Sequence, residues 1–177
     1  DPFETDATAD YVWGQAGFSG FACNRGTGMY RHTDRRSLCL TPPPGFGHIN
    51  AGVAIDLEGN LWVADNENNR VLRFSANLDT GIPAKAADLV LGQPDFSTFA
   101  QGAGLRELSR PSSVRVNEQG VVYIADYLNK RVMVFEPPLS NGMAASQVWG
   151  ADKMAPRGLE LDSAGHLWVN DVDGDSF

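Results

Sequence analysis

Short runs of alternating apolar and polar residues return along the chain in a fixed order. The segments "AGVAID", "SSVRVN" and "RGLELD" are each followed by a tight-turn sequence, "LEGN", "NEQG" or "DSAG". Each turn leads into an apolar run, "LWVAD", "VYIAD" or "LWVND". After a polar break, "RVLRF" and "RVMVF" follow in the first two copies. A period of two with β-branched and aromatic residues between Gly, Asn and Asp turns predicts strands. A further element, "ADYVWGQAGFSGF", matches "ADLVLGQPDFSTF" at eight of thirteen positions, and a worn copy begins at Ala145 as "ASQVWGADKM". The unit therefore has four strands: a ("GVAID"), b ("LWVAD"), c ("RVLRF") and d ("ADLVLGQ"). Ala, Leu, Glu and Lys never cluster at helical spacing, so an all-β chain is expected.

Aligned, the copies read Asp56-x-x-Gly59-x-Leu61-Trp62-Val63-Ala64-Asp65-x-x-Asn68-x-Arg70-Val71-x-x-Phe74 and Asn117-x-x-Gly120-x-Val122-Tyr123-Ile124-Ala125-Asp126-x-x-Asn129-x-Arg131-Val132-x-x-Phe135. The third runs from Asp162 to Asp171, and "DGDSF" then stands where "NNRVL" and "NKRVM" stand earlier. This pattern resembles NHL repeats, and "VLGQPDFS" is similar to a bacterial, often secreted type. The resemblance covers about residues 9–177 and implies an NHL-type β-propeller. Such propellers usually have six blades, which implies about three here, half of a ring. One domain, 1–177, is expected, with units at about 51–92, 112–150 and 157–177 and a closing strand at about 9–15. A chain that begins on strand d and ends on c suits ring closure, the first strand completing the last blade. Three blades do not close a ring, so the expectation is a chain that continues past Phe177, ahead of two copies sharing six blades. Open strand edges would otherwise invite association or filaments. The opening "DPFETD", without Met, reads as a processed form or a fragment.

Asp65, Asn68 and Arg70 recur as Asp126, Asn129 and Arg131, and the Asp again as Asp171. A feature present in every blade is scaffold before it is active site. Asp and Asn would satisfy turn amides, Asn would take a left-handed backbone, and Arg would fold back on Asp. Trp62, Tyr123 and Trp168 share one register and are expected between blades.

The formal charge of −8 argues against general binding to nucleic acid or anionic membranes, and no apolar run approaches the ~20 residues of a membrane span. Cys23 and Cys39, in one polar loop, predict a disulfide and an oxidising, hence secreted, extracellular or periplasmic, location. The d–a connections, roughly 16–50 and 94–111, share a face with the b–c turns, and this is where ligand specificity is expected. Arg25, Arg31, His32, Arg35 and Arg36 form the basic cluster there, suited to an anionic ligand or an acidic partner surface. Tyr30, Phe46, Phe96 and Phe99 either line a groove or plug loops against the sheet.

The resemblance also covers propeller enzymes, among them an amidating lyase with a histidine-bound metal on the axis. His32, His48 and His166 do not form a matching set, and no nucleophile or phosphate-loop motif appears. Strand a offers the axis only Asp56, Asn117, Glu160 and Asp162. Asp171, Asp173 and Asp175 alternate like a calcium loop without its late Glu, so calcium is the one cofactor considered. The expected function is thus a non-catalytic binding or structural module, with a protein or a small extracellular ligand as partner. A lyase- or lactonase-type enzyme and a subunit of an extracellular assembly are the alternatives.

Overall fold

The computed structural model describes residues 9–20, 22–28, 32–40 and 51–172. Among these residues there is no α-helix, and ten antiparallel strands make three sheets. β1 (Val53–Ile55), β2 (Leu61–Asp65), β3 (Arg70–Phe74) and β4 (Leu89–Leu91) form one meander in sequence order. β5 (Pro111–Val116), β6 (Val122–Asp126), β7 (Arg131–Phe135) and β8 (Gln147–Trp149) repeat it. β9 (Pro156–Leu161) pairs with β10 (Leu167–Asp171) as the first half of a third. These are propeller blades: the strands b and c start and stop where the alternation does.

The a–b turns explain why the motif opens on Asp or Asn. Asp56 Oδ1 accepts the amides of Glu58 and Asn60, and Asn117 and Asp162 repeat this. Gly59, Gly120 and Gly165 follow at φ 82°, 77° and 83°, a backbone that side chains resist. The second oxygen of the acid is matched to the aromatic of strand b. Asp56 Oδ2 accepts Trp62 Nε1 at 2.8 Å, and Asp162 Oδ2 accepts Trp168 Nε1 at 3.0 Å. Where strand b carries Tyr123 instead, the turn carries Asn117, whose Nδ2 donates to the phenol oxygen at 3.4 Å. An indole only donates, whereas a phenol also accepts, so the turn residue follows the ring.

The core lies between blades. One face of the first blade (Trp62, Ala64, Val71, Leu89, Leu91) packs on the second blade (Val114, Val122, Ile124, Met133, Phe135). Ala125 and Val132 of the second blade pack on Leu159 of the third, with Tyr123, Leu167 and Val169 against them. Trp62 is 1% exposed as an inter-blade residue, but Trp168, at the same register, is 63% exposed. No sheet stands beyond the third blade among the described residues.

Residues 9–15 depart from the expected strand. They make a single parallel bridge, Gly14 to Ser37. A strand d pairs with the strand c of its own blade, and the first blade's c already pairs with β4. The segment nevertheless takes the position that the repeat assigns it. Trp13 packs on the first blade with Leu38, Val63, Leu72, Phe74 and Val90. A Cβ at Gly14 would collide with Leu38, as one at Gly92 would with Leu108 and one at Gly150 with Met154.

Gly92→Ala tests that close approach. Gly92 has φ 85°, and Leu108 beside it is wholly buried. Left-handed Ala costs ~1–2 kcal/mol and overpacking ~1–3. Urea unfolding should therefore show a loss of about 2–4 kcal/mol, and a loss below 1 would mean that the contact is slack.

Candidate functional site

The site is built on one end of the sheets, where the b–c turns meet the d–a connections. Asp65, the last residue of β2, accepts three donors: Cys39 N at 2.6 Å, Arg70 Nε at 2.7 Å and Asn68 Nδ2 at 2.9 Å. Arg70 passes its remaining donors to the carbonyls of Phe96 (2.6 Å), Ser37 (2.9 Å) and Asp34 (3.1 Å). The second blade repeats the arrangement. Asp126 accepts Ser109 N, Arg131 Nε and Asn129 Nδ2 at 2.7, 2.7 and 2.8 Å. Arg131 holds the carbonyls of Ala103, Gly104 and Glu107. In the third blade Asp171 accepts Ala155 N at 2.8 Å. Return bonds from Glu67 N to the Cys39 carbonyl and from Leu128 N to the Ser109 carbonyl place both kinds of loop on one face.

The Arg–Asp pairing agrees with the sequence reading, but two details differ. The Asp carboxylates hold amides of the d–a segment and not of their own turn. The left-handed residues are Asn69 and Lys130, one position after the expected Asn, because each b–c turn is a 3₁₀ turn capped by the next residue. A buried ion pair between blades, Arg110 Nη2 to Glu67 Oε2 at 2.9 Å, had no signal in the repeat. Arg110 has no counterpart in the third blade, where Ala155 runs straight into Pro156.

Cys23 and Cys39 form the expected disulfide. It ties the loop to the residue whose amide Asp65 holds. The basic cluster is then divided. Arg35 serves structure: its Nε donates to the Ala87 carbonyl at 2.7 Å, and its guanidinium lies 5.1 Å from the Phe96 ring centre. Phe96 is thus a plug and not a groove wall. Arg25 and Arg36 are exposed and line a groove of about 380 Å³ together with Tyr11, Trp13, Phe18 and Lys85. Lys85 Nζ sits 4.0 Å from the Trp13 ring centre and 4.9 Å from that of Tyr11. The sequence reading missed Tyr11, Trp13 and Lys85, because it assigned the first two to a strand and the last to a plain c–d loop. His32 is exposed on the same loop and is not among the groove's lining residues. Arg31, Tyr30, Phe46, His48, Asp173 and Asp175 lie outside the described residues.

Burial pushes the Asp65 carboxyl above its ordinary value, against the pull of Arg70, the Cys39 amide and Asn68. Asp126 is raised likewise by burial, against the Ser109 amide, Asn129 and Arg131. The Trp168 indole, the His166 amide and the His166 ring hold Asp162 well below the carboxylate range. The Arg115 guanidinium lowers Glu160, to which it reaches across from the second blade at 2.8 Å. Among the described residues no three His, Cys, Asp or Glu side chains are placed to hold a metal ion. His32 lies on a d–a loop, while His166 binds Asp162 at an a–b turn, the opposite end of the sheets. The described residues do not fit an axial histidine-bound metal.

The NHL repeat family model matches residues 51–74 and 108–135. The chain carries two NHL repeats. It is 30% identical over 136 residues to peptidyl-alpha-hydroxyglycine alpha-amidating lyase 1 of Drosophila melanogaster, covering 70% of this chain and 23% of that protein. It is 34% identical over 103 residues to peptidyl-glycine alpha-amidating monooxygenase A of Xenopus laevis, covering 57% of this chain and 10% of that protein. The NHL chain thus spans less than a quarter of these curated relatives. Among solved structures it is similar to a streptogramin B lyase, with TM-score 0.48, 14% identity, and coverage of 76% of this chain and 38% of that one. Virginiamycin B lyase from Staphylococcus aureus gives TM-score 0.45 at 16% identity, covering 72% and 36%. No helix among the described residues is long and apolar enough to cross a membrane.

Two measurements probe the NHL scaffold. Arg70→Met strands the Asp65 charge, both side chains being fully buried. Removing one partner of such a pair costs ~3–5 kcal/mol. The loss in urea unfolding should fall in that range, and the added change Asp65→Asn should recover part of it. The second is pH dependence. Glu160 and Asp162 have lowered folded-state values, so their contribution is present above the ordinary carboxylate range and is lost as pH falls through it. Asp65 and Asp126 have raised values, so folding favours their protonated form and they add nothing to acid loss. Amides of β9 and β10 should therefore exchange sooner than those of β2 and β6 as pH falls. Glu160→Gln with Asp162→Asn should flatten that dependence, and an unchanged profile would refute it.

Proposed function

We propose that this chain is the loop-bearing part of an NHL propeller that binds an anionic ligand or acidic protein surface and performs no chemistry of its own. The supporting observation is the division of labour among its polar residues. Asp65, Asn68, Arg70, Asp126, Asn129 and Arg131 spend their hydrogen bonds on the scaffold. Arg25 and Arg36 instead stand exposed on a loop stapled by a disulfide, beside an aromatic floor. In a chain of net charge −8 this is a local reversal of sign, and such a patch steers anionic partners. The disulfide supports an oxidising, extracytoplasmic location.

The test uses a fluorescent Glu-rich peptide as probe, with anisotropy read over a salt series. Binding should weaken with salt, and Arg25→Ala with Arg36→Ala should reduce affinity about tenfold, two exposed charge contacts at ~0.5–1 kcal/mol each. Equal binding by the double variant would remove the groove from the reading.

The similarity to amidating lyases favours a second reading, in which a longer protein acts on a peptidyl-α-hydroxyglycine. Incubating the chain with such a peptide separates the two. Formation of amidated peptide would establish the enzyme, and its absence, with probe binding retained, would support the binding module.

A further inference from the structure

The repeat builds one kind of contact and leaves both of its halves open. Within the chain, Trp62 of strand b closes against strand a of the next blade, where Val114 is fully buried and Val116 packs beside it. At the far end of the chain Trp168, the equivalent of Trp62, is 63% exposed. At the near end Val53 and Ile55, the equivalents of Val114 and Val116, are 57% and 63% exposed. The chain thus ends in a tryptophan face and begins in the β-branched face that receives one. Each Trp brings ~150–250 Å² of surface to such a contact.

We infer that two copies of this 177-residue chain associate head to tail, Trp168 of each seated on Val53 and Ile55 of the other. The occupant is a second copy because the interface continues one that the chain already makes twice, between its first and second blades and between its second and third. A two-fold axis makes both contacts at once and leaves neither face over, whereas a rotation that does not close would propagate into a filament. The N-terminal segment supports the closed form. Trp13 already lies on the outer half of the same first-blade face, in the strand d position of a preceding blade. The incoming third blade therefore has only the inner half, with Val53 and Ile55, left to cover.

The experiment is native mass spectrometry and sedimentation velocity of the 177-residue chain at micromolar concentration, with two single variants. The expected species is one dimer, at twice 19.1 kDa. Trp168→Asp should shift it to monomer by at least a hundredfold weaker association. Its far-UV circular dichroism should stay that of the parent, since the side chain is already exposed in a single chain. Leu78→Asp, at a residue 92% exposed on the c–d loop, should leave the dimer intact. A monomeric parent would overturn the proposal. So would a ladder of higher masses, a Trp168→Asp dimer, or equal dissociation by Leu78→Asp.

Discussion

The buried pair of Asp65 and Arg70, repeated as Asp126 and Arg131, is the constraint on which the rest of the molecule hangs. Two charges taken from water are costly unless every donor and acceptor finds a partner. Here each carboxylate receives three donors. Each guanidinium spends its surplus on main-chain carbonyls of a loop that has no ladder of its own. The pair therefore does more than join two side chains. It replaces the hydrogen bonds that a long d–a connection would otherwise have to find in water or leave unmade. This is how a blade edge can carry a connection that crosses from d to a without strand structure and still pack it down.

How much of this was legible follows from where the information sits. Alternation and Gly placement are local, so "LWVAD" and "RVLRF" show both the existence and the limits of β2 and β3. The spacing from Asp to Arg, common to Asp65–Arg70 and Asp126–Arg131, announced a pair. It could not announce what the Arg reaches next, because the acceptors at Ser37, Phe96, Gly104 and Glu107 are carbonyls, which every residue has. The same limit hid the division of the basic cluster. Arg35 and Arg36 are neighbours in sequence, yet Arg35 turns to the Ala87 carbonyl while Arg36 faces the groove. Lys85 was invisible for a related reason. Its neighbours Tyr11 and Trp13 are more than seventy residues away along the chain and meet it only because the N-terminal segment lies on the first blade.

The copies also show that a repeat is informative where it breaks. Gln15 and Gln93 open the two d–a connections in the same way, each donating Nε2 to a carbonyl seven residues on, at Ala22 and Ala100. The two loops then diverge at equivalent phenylalanines. Phe96 is closed over by Arg35 and the first blade, while Phe18 stays open beside the groove. The common device sets where a loop starts, and the residue that covers it decides whether its aromatic serves packing or recognition.

Cys39 carries that logic furthest. It stands where Ser109 and Ala155 stand in the other blades, at the amide that the strand b Asp holds. The side chain at this register is unused by the clamp, so it is free to change without loss of the scaffold. In the first blade it is spent on the disulfide to Cys23, and the Asn24 amide bonds back to the Leu38 carbonyl beside it. Both ends of the sixteen-residue loop are thereby fixed to one point of the blade. Fixing the ends removes conformational freedom that the loop would otherwise surrender on meeting a ligand. Arg25 and Arg36, near opposite ends of that loop, are presented together for this reason and not by contact with each other. The first blade's loop is thus held by the same carboxylate as the others but stiffened by a bond they lack, and that difference separates a recognition loop from a structural one.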